Sequence, residues 1–306
     1  MHTSKHDLII LGGGPAGMTA AIYAARANLD VVLIETAITG GLVNATYMVN
    51  NFPSYPAIHG MELMEKMRAH VDSLDVPVEE VFMLDALDVS GPEKTVSDGE
   101  TTFVAPAIIL ATGRQPIALD VPTEAEEVHF CSICDGSAYK GKRVLVVGGG
   151  NSAFDESLYL LGLGIEHITI IEIMDRFFAA QTTQNELLAR ENVSGLLRTK
   201  VKDLEVTDGH LSAALLENLD SGDIQRVPVD GVFVFLGQKP NTAEIADVVK
   251  LSEQGYILAD ETMMTNVPGV FAAGDVVHKR YRQITTAISD GTIAALSAES
   301  WLRRRK

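Results

Sequence analysis

The chain has 306 residues, 46% of them hydrophobic, with 11 prolines and a formal charge of −17 at pH 7. That length fits about two domains, and the composition excludes disordered and fibrous classes. The charge repels nucleic-acid phosphates and anionic lipid headgroups alike, so neither nucleic acid nor membrane is an expected partner.

The N-terminal segment Met1-His2-Thr3-Ser4-Lys5-His6-Asp7 has no apolar export core and no small-residue cleavage site, and leads straight into a strand. The expected compartment is the cytoplasm, where a disulfide is normally catalytic or sensory. Leu8–Leu11 is a short apolar run of the kind a buried parallel strand shows. Gly12-Gly13-Gly14-Pro15-Ala16-Gly17 turns it into the helical stretch Met18–Ala27, and a second strand, Val31–Ile34, ends on Glu35. In this order each residue type has a task. Gly12 permits the tight turn, Gly14 lets backbone approach a pyrophosphate at the helix N-terminus, Gly17 allows close helix–strand packing, and Glu35 reaches the ribose hydroxyls. Glycines alone would be a weak signal; strand, glycines, helix, strand and terminal acid in sequence indicate dinucleotide binding. Met61, Met64 and Met67 follow at helical spacing and are expected in the core.

Val81–Val104 alternates apolar and polar residues around the turn Ser97-Asp98-Gly99, which predicts a small antiparallel sheet. Ile108–Leu110 is a strand that runs into Ala111-Thr112-Gly113, and Val234–Leu236 runs likewise into Gly237. Between these two exits lie a strand at Arg143–Val147, a second fingerprint Gly148-Gly149-Gly150-Asn151-Ser152-Ala153 and a strand at Ile168–Ile171. A second small sheet is predicted across Val201–Val229 with a turn at Thr207-Asp208-Gly209. Even Leu158–Met174 is broken by Glu166, His167 and Glu172, so no run approaches the roughly 18 apolar residues of a spanning helix. Val270–Ala273 ends in Gly274-Asp275, whose carboxylate is expected at a cofactor, and Ile284–Arg303 reads as a long helix. The predicted class is α/β: two Rossmann-like three-layer domains, the second inserted into the first. Residues 1–114 and 242–306 form the outer domain and residues 115–241 the inner one.

The only two cysteines lie in the inner domain, as Cys131-Ser132-Ile133-Cys134-Asp135. A Cys-x-x-Cys pair closes a disulfide and reopens it, because each sulfur serves as thiolate nucleophile or leaving group for the other. Asp135 is placed to supply or remove the proton. Half a zinc site is the competing reading, but a closed site needs four ligands and no second Cys pair or Cys/His cluster accompanies this one, so no metal is expected. A redox pair between two dinucleotide turns points to electron transfer between a dinucleotide cofactor and a disulfide.

Gly12–Gly17 with Ala20–Ala27, Gly40-Gly41, Asn51-Phe52-Pro53, Ala111-Thr112-Gly113, Cys131–Asp135 with Gly136, Gly148–Asn151, Gly274-Asp275 and Arg282-Gln283 together resemble the low-molecular-weight thioredoxin reductases, over essentially the whole chain. The resemblance implies FAD on the outer domain, bound by Gly14, Glu35, Asn51, Asp275 and Gln283. Gly12, Pro15, Ala16, Gly17, Gly41, Ala111, Thr112, Gly113, Gly274 and Arg282 are the landmarks of that same site. It also implies a homodimer, Cys134 as the flavin-facing sulfur, Cys131 as the one exchanging with a thioredoxin-like partner, and Asp135 as acid/base. One domain would rotate against the other, with Gly113 and Gly237 as hinges.

Three departures matter. Where the family carries His-Arg-Arg and a further Arg for the adenosine 2′-phosphate of NADPH, this chain has Glu172-Ile173-Met174, with Arg176 out of register. Glu172 repels a 2′-phosphate and can accept a hydrogen bond from an unphosphorylated ribose; its plainer reading is a solvated strand end. NADPH is therefore not the expected donor. NADH remains physically open, and a pyridine-nucleotide-independent donor such as ferredoxin or a reduced deazaflavin, used by similar proteins with a degenerate second site, is favoured narrowly. The second departure precedes the cysteines: Glu126-Glu127-Val128-His129-Phe130 replaces an Arg-Gly whose Arg helps dock thioredoxin. Two carboxylates reverse that field, so a thioredoxin with an altered face, a glutaredoxin-like protein or another small disulfide protein is expected, unless the charges are an inconsequential surface loop. Third, Leu42 and Val43 follow Gly40-Gly41 where the family often has Gln-Leu, removing a polar contact to FAD.

His129 either tunes the neighbouring thiolate or is a solvated loop side chain. Arg303–Lys306 either meets an acidic electron carrier or caps the last helix against its dipole. Two further functions fit much of this pattern: a flavin-dependent dithiol oxidase using oxygen, which Asp135 disfavours because comparable oxidases often place His there, and a non-enzymatic flavin redox sensor.

Overall fold

A computed structural model describes residues 2–46, 48–122 and 125–305. They form two compact units, Met1–Gln115 with Lys239–Lys306, and Pro116–Gln238. The class is the predicted α/β, with a parallel sheet in each unit.

In the first unit the sheet order is Val270–Ala272, Ala107–Leu110, Leu8–Leu11, Val31–Glu35, Val78–Glu80, every neighbour parallel. Leu8–Leu11 lies at its centre and is buried on both faces, which is why the sequence there is continuously apolar rather than alternating. Leu8 and Ile10 point into one cluster, with side chains of helices Pro15–Arg26, Gly60–Asp72 and Ile284–Arg303. Ile9 and Leu11 point into the other, with Val96 and Phe103 of a four-stranded sheet. Each such fully buried Leu or Ile contributes about 1.5–3 kcal/mol. The four-stranded sheet contains the predicted antiparallel strands at Ala86–Asp88, Lys94–Ser97 and Thr101–Ala105. It gains one strand that the pattern does not announce. His2–Lys5 pairs in parallel with Thr101–Ala105, and as a polar edge strand it is specified by backbone pairing rather than by hydrophobic alternation.

The second unit repeats the plan. Its parallel sheet runs Val128–His129, Gly231–Val234, Arg143–Val147, His167–Ile171, Val193–Leu196, with helix Asn151–Gly162 contributing to one buried face. The antiparallel strands Thr199–Thr207, His210–Asn218 and Ile224–Pro228 contribute to the other. Asp208 and Gly209 join the first two at φ 53° and 83°, the left-handed pair that a two-residue hairpin requires. The chain passes between the units at Arg114–Pro116 and Gln238–Pro240, which form a two-stranded sheet.

One expectation about the core fails. Met64 is buried and Met67 packs against the core, but Met61 is 58% exposed. Successive steps of three residues drift around a helix, so three such methionines cannot all share one narrow face. At the other end, helix Ile284–Arg303 closes with Arg303 paired to Glu299 and Arg305 over the Trp301 ring. These cations are engaged at the helix end; Lys306 lies outside the described residues. Among the described residues no helix is long and apolar enough to cross a membrane.

Candidate active site

Cys131 and Cys134 form a disulfide with Cα atoms 5.4 Å apart, a separation that suits the bond. Cys131 is the N-cap of the short helix Ser132–Asp135, and its Sγ accepts the Cys134 N–H at 3.1 Å. The pair thus sits at the start of a turn whose free N–H groups favour a thiolate. Gly136 lets this turn lie close to helix Asn151–Gly162: a Cβ there would be 2.8 Å from Leu160 Cδ2. Beneath it, Ser132 is buried, and burial pushes the nearby Glu156 carboxyl up against the opposing pull of the Ser132 hydroxyl. Beside the cysteines, His129 bridges Asp135 and Tyr139, with Nδ1 3.3 Å from Asp135 Oδ2 and Nε2 2.6 Å from Tyr139 Oη.

The first glycine turn has the architecture of a cofactor cradle. A Cβ on Gly12, at φ 108°, would lie 2.3 Å from the Ala111 carbonyl oxygen, and one on Gly17 would lie 1.8 Å from the Gly12 oxygen. Gly17→Ala is therefore expected to destabilise the chain by about 3 kcal/mol or more, measured by denaturant unfolding. A Cβ on Gly14, by contrast, would meet nothing within 4 Å, leaving room for a pyrophosphate at the N-terminus of helix Pro15–Arg26. Glu35 grips the turn, Oε2 accepting the Gly13 N–H at 2.6 Å and Oε1 the Ala37 N–H at 2.9 Å. Gly41 comes within contact of Gly14, and Gly40 N–H donates to Gly13 O at 2.9 Å. Leu42 is exposed beside them. Gly274 abuts Ala16, bringing Asp275 to the same place.

The polar groups there are incompletely satisfied. Asp275 Oδ2 accepts from Arg114 Nη2 at 3.0 Å, while its buried Oδ1, in ion-pair reach of Lys279 Nζ at 3.7 Å, and Arg114 Nε make no hydrogen bond. A hydroxyl-bearing cofactor would meet that need, so these residues fit FAD. Asn51 Nδ2 donates to Gln283 Oε1 at 3.1 Å, and Gln283 caps helix Ile284–Arg303. Arg282 lies 3.9 Å from the Tyr256 ring centroid, and its Nε donates to Asp275 O at 3.4 Å, so its side chain serves to hold the Asp275 segment. Thr112 and Asn241 lock together, Thr112 Oγ1 donating to Asn241 O at 2.9 Å and Asn241 Nδ2 to Thr112 O at 2.8 Å. Arg114, Asn241 and Tyr139 carry no local motif.

The second glycine turn copies the first. Gly148, at φ 123°, would place a Cβ 2.4 Å from Phe235 O, as Gly12 does against Ala111. Gly149 O accepts the Phe178 N–H at 2.7 Å, as Gly13 O accepts from Gly40. Glu172 Oε1 accepts the Met174 N–H at 3.0 Å, two residues on, and its Oε2 would lie 2.6 Å from a Cβ on Gly149. Glu172 thus lies close to the turn, as Glu35 does, but only Glu35 accepts the turn's own amide, the Gly13 N–H. Around it Ile173, Met174 and Phe178 are exposed, and the one nearby cation that the sequence offers, Arg176, lies over the Phe178 ring at 5.3 Å from its centroid.

Ahead of the cysteines the two acids diverge. Glu127 accepts from His210 Nδ1 at 2.8 Å, which holds its carboxyl below the usual range, and also accepts the Leu211 N–H. It pins the loop to strand His210–Asn218, whereas Glu126 faces solvent. Both carboxylates stay charged, but only Glu126 is free to meet a partner, since Glu127 is committed to His210 and the Leu211 N–H.

Two glycine–acid turns and a closed Cys-x-x-Cys define a dinucleotide-dependent disulfide oxidoreductase. Residues 6–291 match the family described as pyridine nucleotide-disulphide oxidoreductase. The chain is 37% identical over 306 residues to thioredoxin reductase of Listeria monocytogenes, covering 98% of this chain and 95% of the relative. It is 38% identical over 300 residues to a 34.2 kDa protein in the rubredoxin operon of Clostridium pasteurianum, covering 97% of each. Among solved structures, thioredoxin reductase of Lactococcus lactis matches at a TM-score of 0.87 and 33% identity, covering 98% of this chain and 99% of that one. The chain belongs to the pyridine nucleotide-disulphide oxidoreductase family, as a thioredoxin reductase-like, FAD-dependent member.

Proposed function

We propose that this chain is a reductase of a thioredoxin-like disulfide protein and that its donor nucleotide is NADH rather than NADPH. The observation that carries the donor is the carboxylate of Glu172 beside Gly149, the place that Glu35 takes beside Gly13 in the first turn. An acid folded onto a glycine turn accepts from ribose hydroxyls and repels a 2′-phosphate. A second reading is favoured by the apolar rim of Ile173, Met174 and Phe178: a retained turn with no pyridine nucleotide, and ferredoxin or a reduced deazaflavin as donor. An anaerobic screen separates them. NADH should bleach the flavin within the turnover time while NADPH leaves it oxidised; reduction by ferredoxin or deazaflavin alone would establish the second reading.

FAD, when bound, would pass two electrons between donor and disulfide. The reading assigns it to Gly14, Glu35, Asn51, Asp275 and Gln283, with Asp275 Oδ1 as the acceptor that awaits a hydroxyl. Once the pair is reduced, Cys131 attacks a partner disulfide and forms a mixed disulfide, releasing one partner thiolate. Cys134 then attacks Cys131 Sγ, restoring the Cys131–Cys134 bond and releasing the second, so the partner gains the two electrons the pair loses. Asp135 handles the proton. The supports for a thioredoxin-like partner are the relatives of that function and the intact Cys-x-x-Cys turn. The homodimer implied by the resemblance belongs to the same proposal, as does a reducing compartment such as the cytoplasm; sedimentation tests the dimer.

Glu126→Arg, with Glu127 retained because it holds the loop, should raise the rate of reduction of an acidic-faced thioredoxin about three- to tenfold at low salt, the gain vanishing at high ionic strength. An unchanged rate at low salt would remove the loop from the docking surface.

A further inference from the structure

In the fold, His129 is the middle of a three-group line. Strand pairing sets His129 opposite Phe233, ring centroids 5.2 Å apart. Two residues earlier, Gly231 leaves space for Tyr139: a Cβ there would lie 2.3 Å from Tyr139 Cε1. Tyr139, buried under these groups, meets His129 Nε2, and Asp135 meets Nδ1. Asp135 is tied to the disulfide turn through its own N–H, which donates to Cys131 O at 3.2 Å.

The protons follow from the partners. A carboxylate only accepts, so Nδ1 carries a hydrogen towards Asp135. The Tyr139 phenol, pushed up to about 12 by burial and by the carboxylates of Glu127, Asp135 and Asp230, keeps its proton and donates to Nε2 when the ring is neutral. When the ring takes a second proton, Nε2–H donates to the phenol oxygen instead. The Tyr139 bond therefore survives in imidazole and imidazolium alike, while Nδ1 stays within ion-pair reach of Asp135 at 3.3 Å, the property a proton store needs. The charged groups facing this line are Asp135 at Nδ1, the carboxylates of Glu127 and Asp230 about Tyr139 and, across the Tyr139 ring, the Lys142 ammonium at 5.2 Å from its centroid.

We propose that His129 is the proton reservoir of the Cys131–Cys134 pair, acting through Asp135. Opening the disulfide takes two electrons, from a dithiol or from reduced flavin. The S–S bond breaks and one sulfur leaves as a thiolate. The His129 imidazolium passes a proton to the Asp135 carboxylate, Asp135 hands it on to the thiolate, and the neutral imidazole refills from solvent. On reoxidation the proton travels back. His129 does not touch the sulfurs, so it is a positioning residue. The inference rests on Cys131–Cys134 being the working pair and is independent of the donor and of FAD.

The test is reduction of the oxidised protein by dithiothreitol from pH 5 to 8, with thiols counted by alkylation. The reagent's own ionisation divides out when variants are compared at each pH. Wild type should outrun His129→Phe by about tenfold near pH 5.5, the ratio falling towards one by pH 8. His129→Gln can still donate to Asp135 and should hold its place, but without the low-pH advantage. A ratio that does not vary with pH, or a glutamine variant with full low-pH rate, would overturn the proposal. Independently of any variant, the His129 ring titration followed by NMR in wild type must share its midpoint with the rate advantage; separate midpoints would also overturn it. If these results hold while donor-driven turnover fails, the proton line survives and the assigned donor does not.

Discussion

Cys134→Ser should lower turnover at least about 10³-fold while leaving the fold and the flavin spectrum intact. A serine hydroxyl cannot form or resolve a disulfide, yet it fits the turn in which the Cys134 N–H donates to Cys131 Sγ. The variant also distinguishes the two sulfurs. If Cys131 exchanges with the partner, Cys134→Ser traps a covalent mixed disulfide visible by non-reducing mass analysis, and Cys131→Ser does not. Cys134 is the more exposed of the two, so exposure does not by itself assign the exchanging sulfur to Cys131. A trap formed only by Cys131→Ser would exchange their roles.

The second large effect concerns the donor. Glu172→Ala should reduce kcat/KM for NADH by about 10- to 100-fold, the cost of losing a charge-assisted hydrogen bond to ribose. Restoring the family's cations with Glu172→His, Ile173→Arg, Met174→Arg and Phe178→Arg should raise kcat/KM for NADPH by at least about 10²-fold, since each arginine on a phosphate contributes about 1.5–3 kcal/mol when well placed. The exposure of Ile173, Met174 and Phe178 means that these changes displace no core packing. Steady-state kinetics with both nucleotides decide the matter. If Glu172→Ala leaves NADH kinetics unchanged, the acid does not contact the nucleotide.

The sequence was most legible where structure is local. The strand–glycine–helix–strand order at Leu8–Glu35 and at Arg143–Ile171 appears in the fold because the turn, the helix start and the close packing of Gly17 on Gly12 are local, although Gly12 and Gly148 also admit the distant carbonyls of Ala111 and Phe235. The same holds for the hairpin at Asp208-Gly209. What the sequence hid depends on pairings at long separation or on backbone alone. Arg114 and Asp275 are 161 residues apart, and Glu127 and His210 are 83; neither pair leaves a spacing to read. Strands His2–Lys5 and Val128–His129 are too short and too polar to show a period. Glu126 and Glu127 look equivalent in sequence, and only the position of His210 separates them. His129 was visible as a neighbour of Cys131, but its line to Tyr139 depends on the space at Gly231, which no spacing rule conveys.

The first unit's divided chain has a consequence for the order of events during synthesis. Strand Val270–Ala272 occupies one edge of its sheet beside Ala107–Leu110. Helix Ile284–Arg303 lies against Pro15–Arg26, with a Cβ on Gly291 only 2.2 Å from the Ala16 oxygen. Both elements leave the ribosome after the whole of Pro116–Gln238. The inserted unit has all its strands in hand first and can fold as a contiguous body, whereas the first half of the outer unit must wait with its apolar strands unshielded. The proposed cofactor cradle, to which Asp275 and Gln283 are assigned, is therefore completed last, although its glycines are among the first residues made.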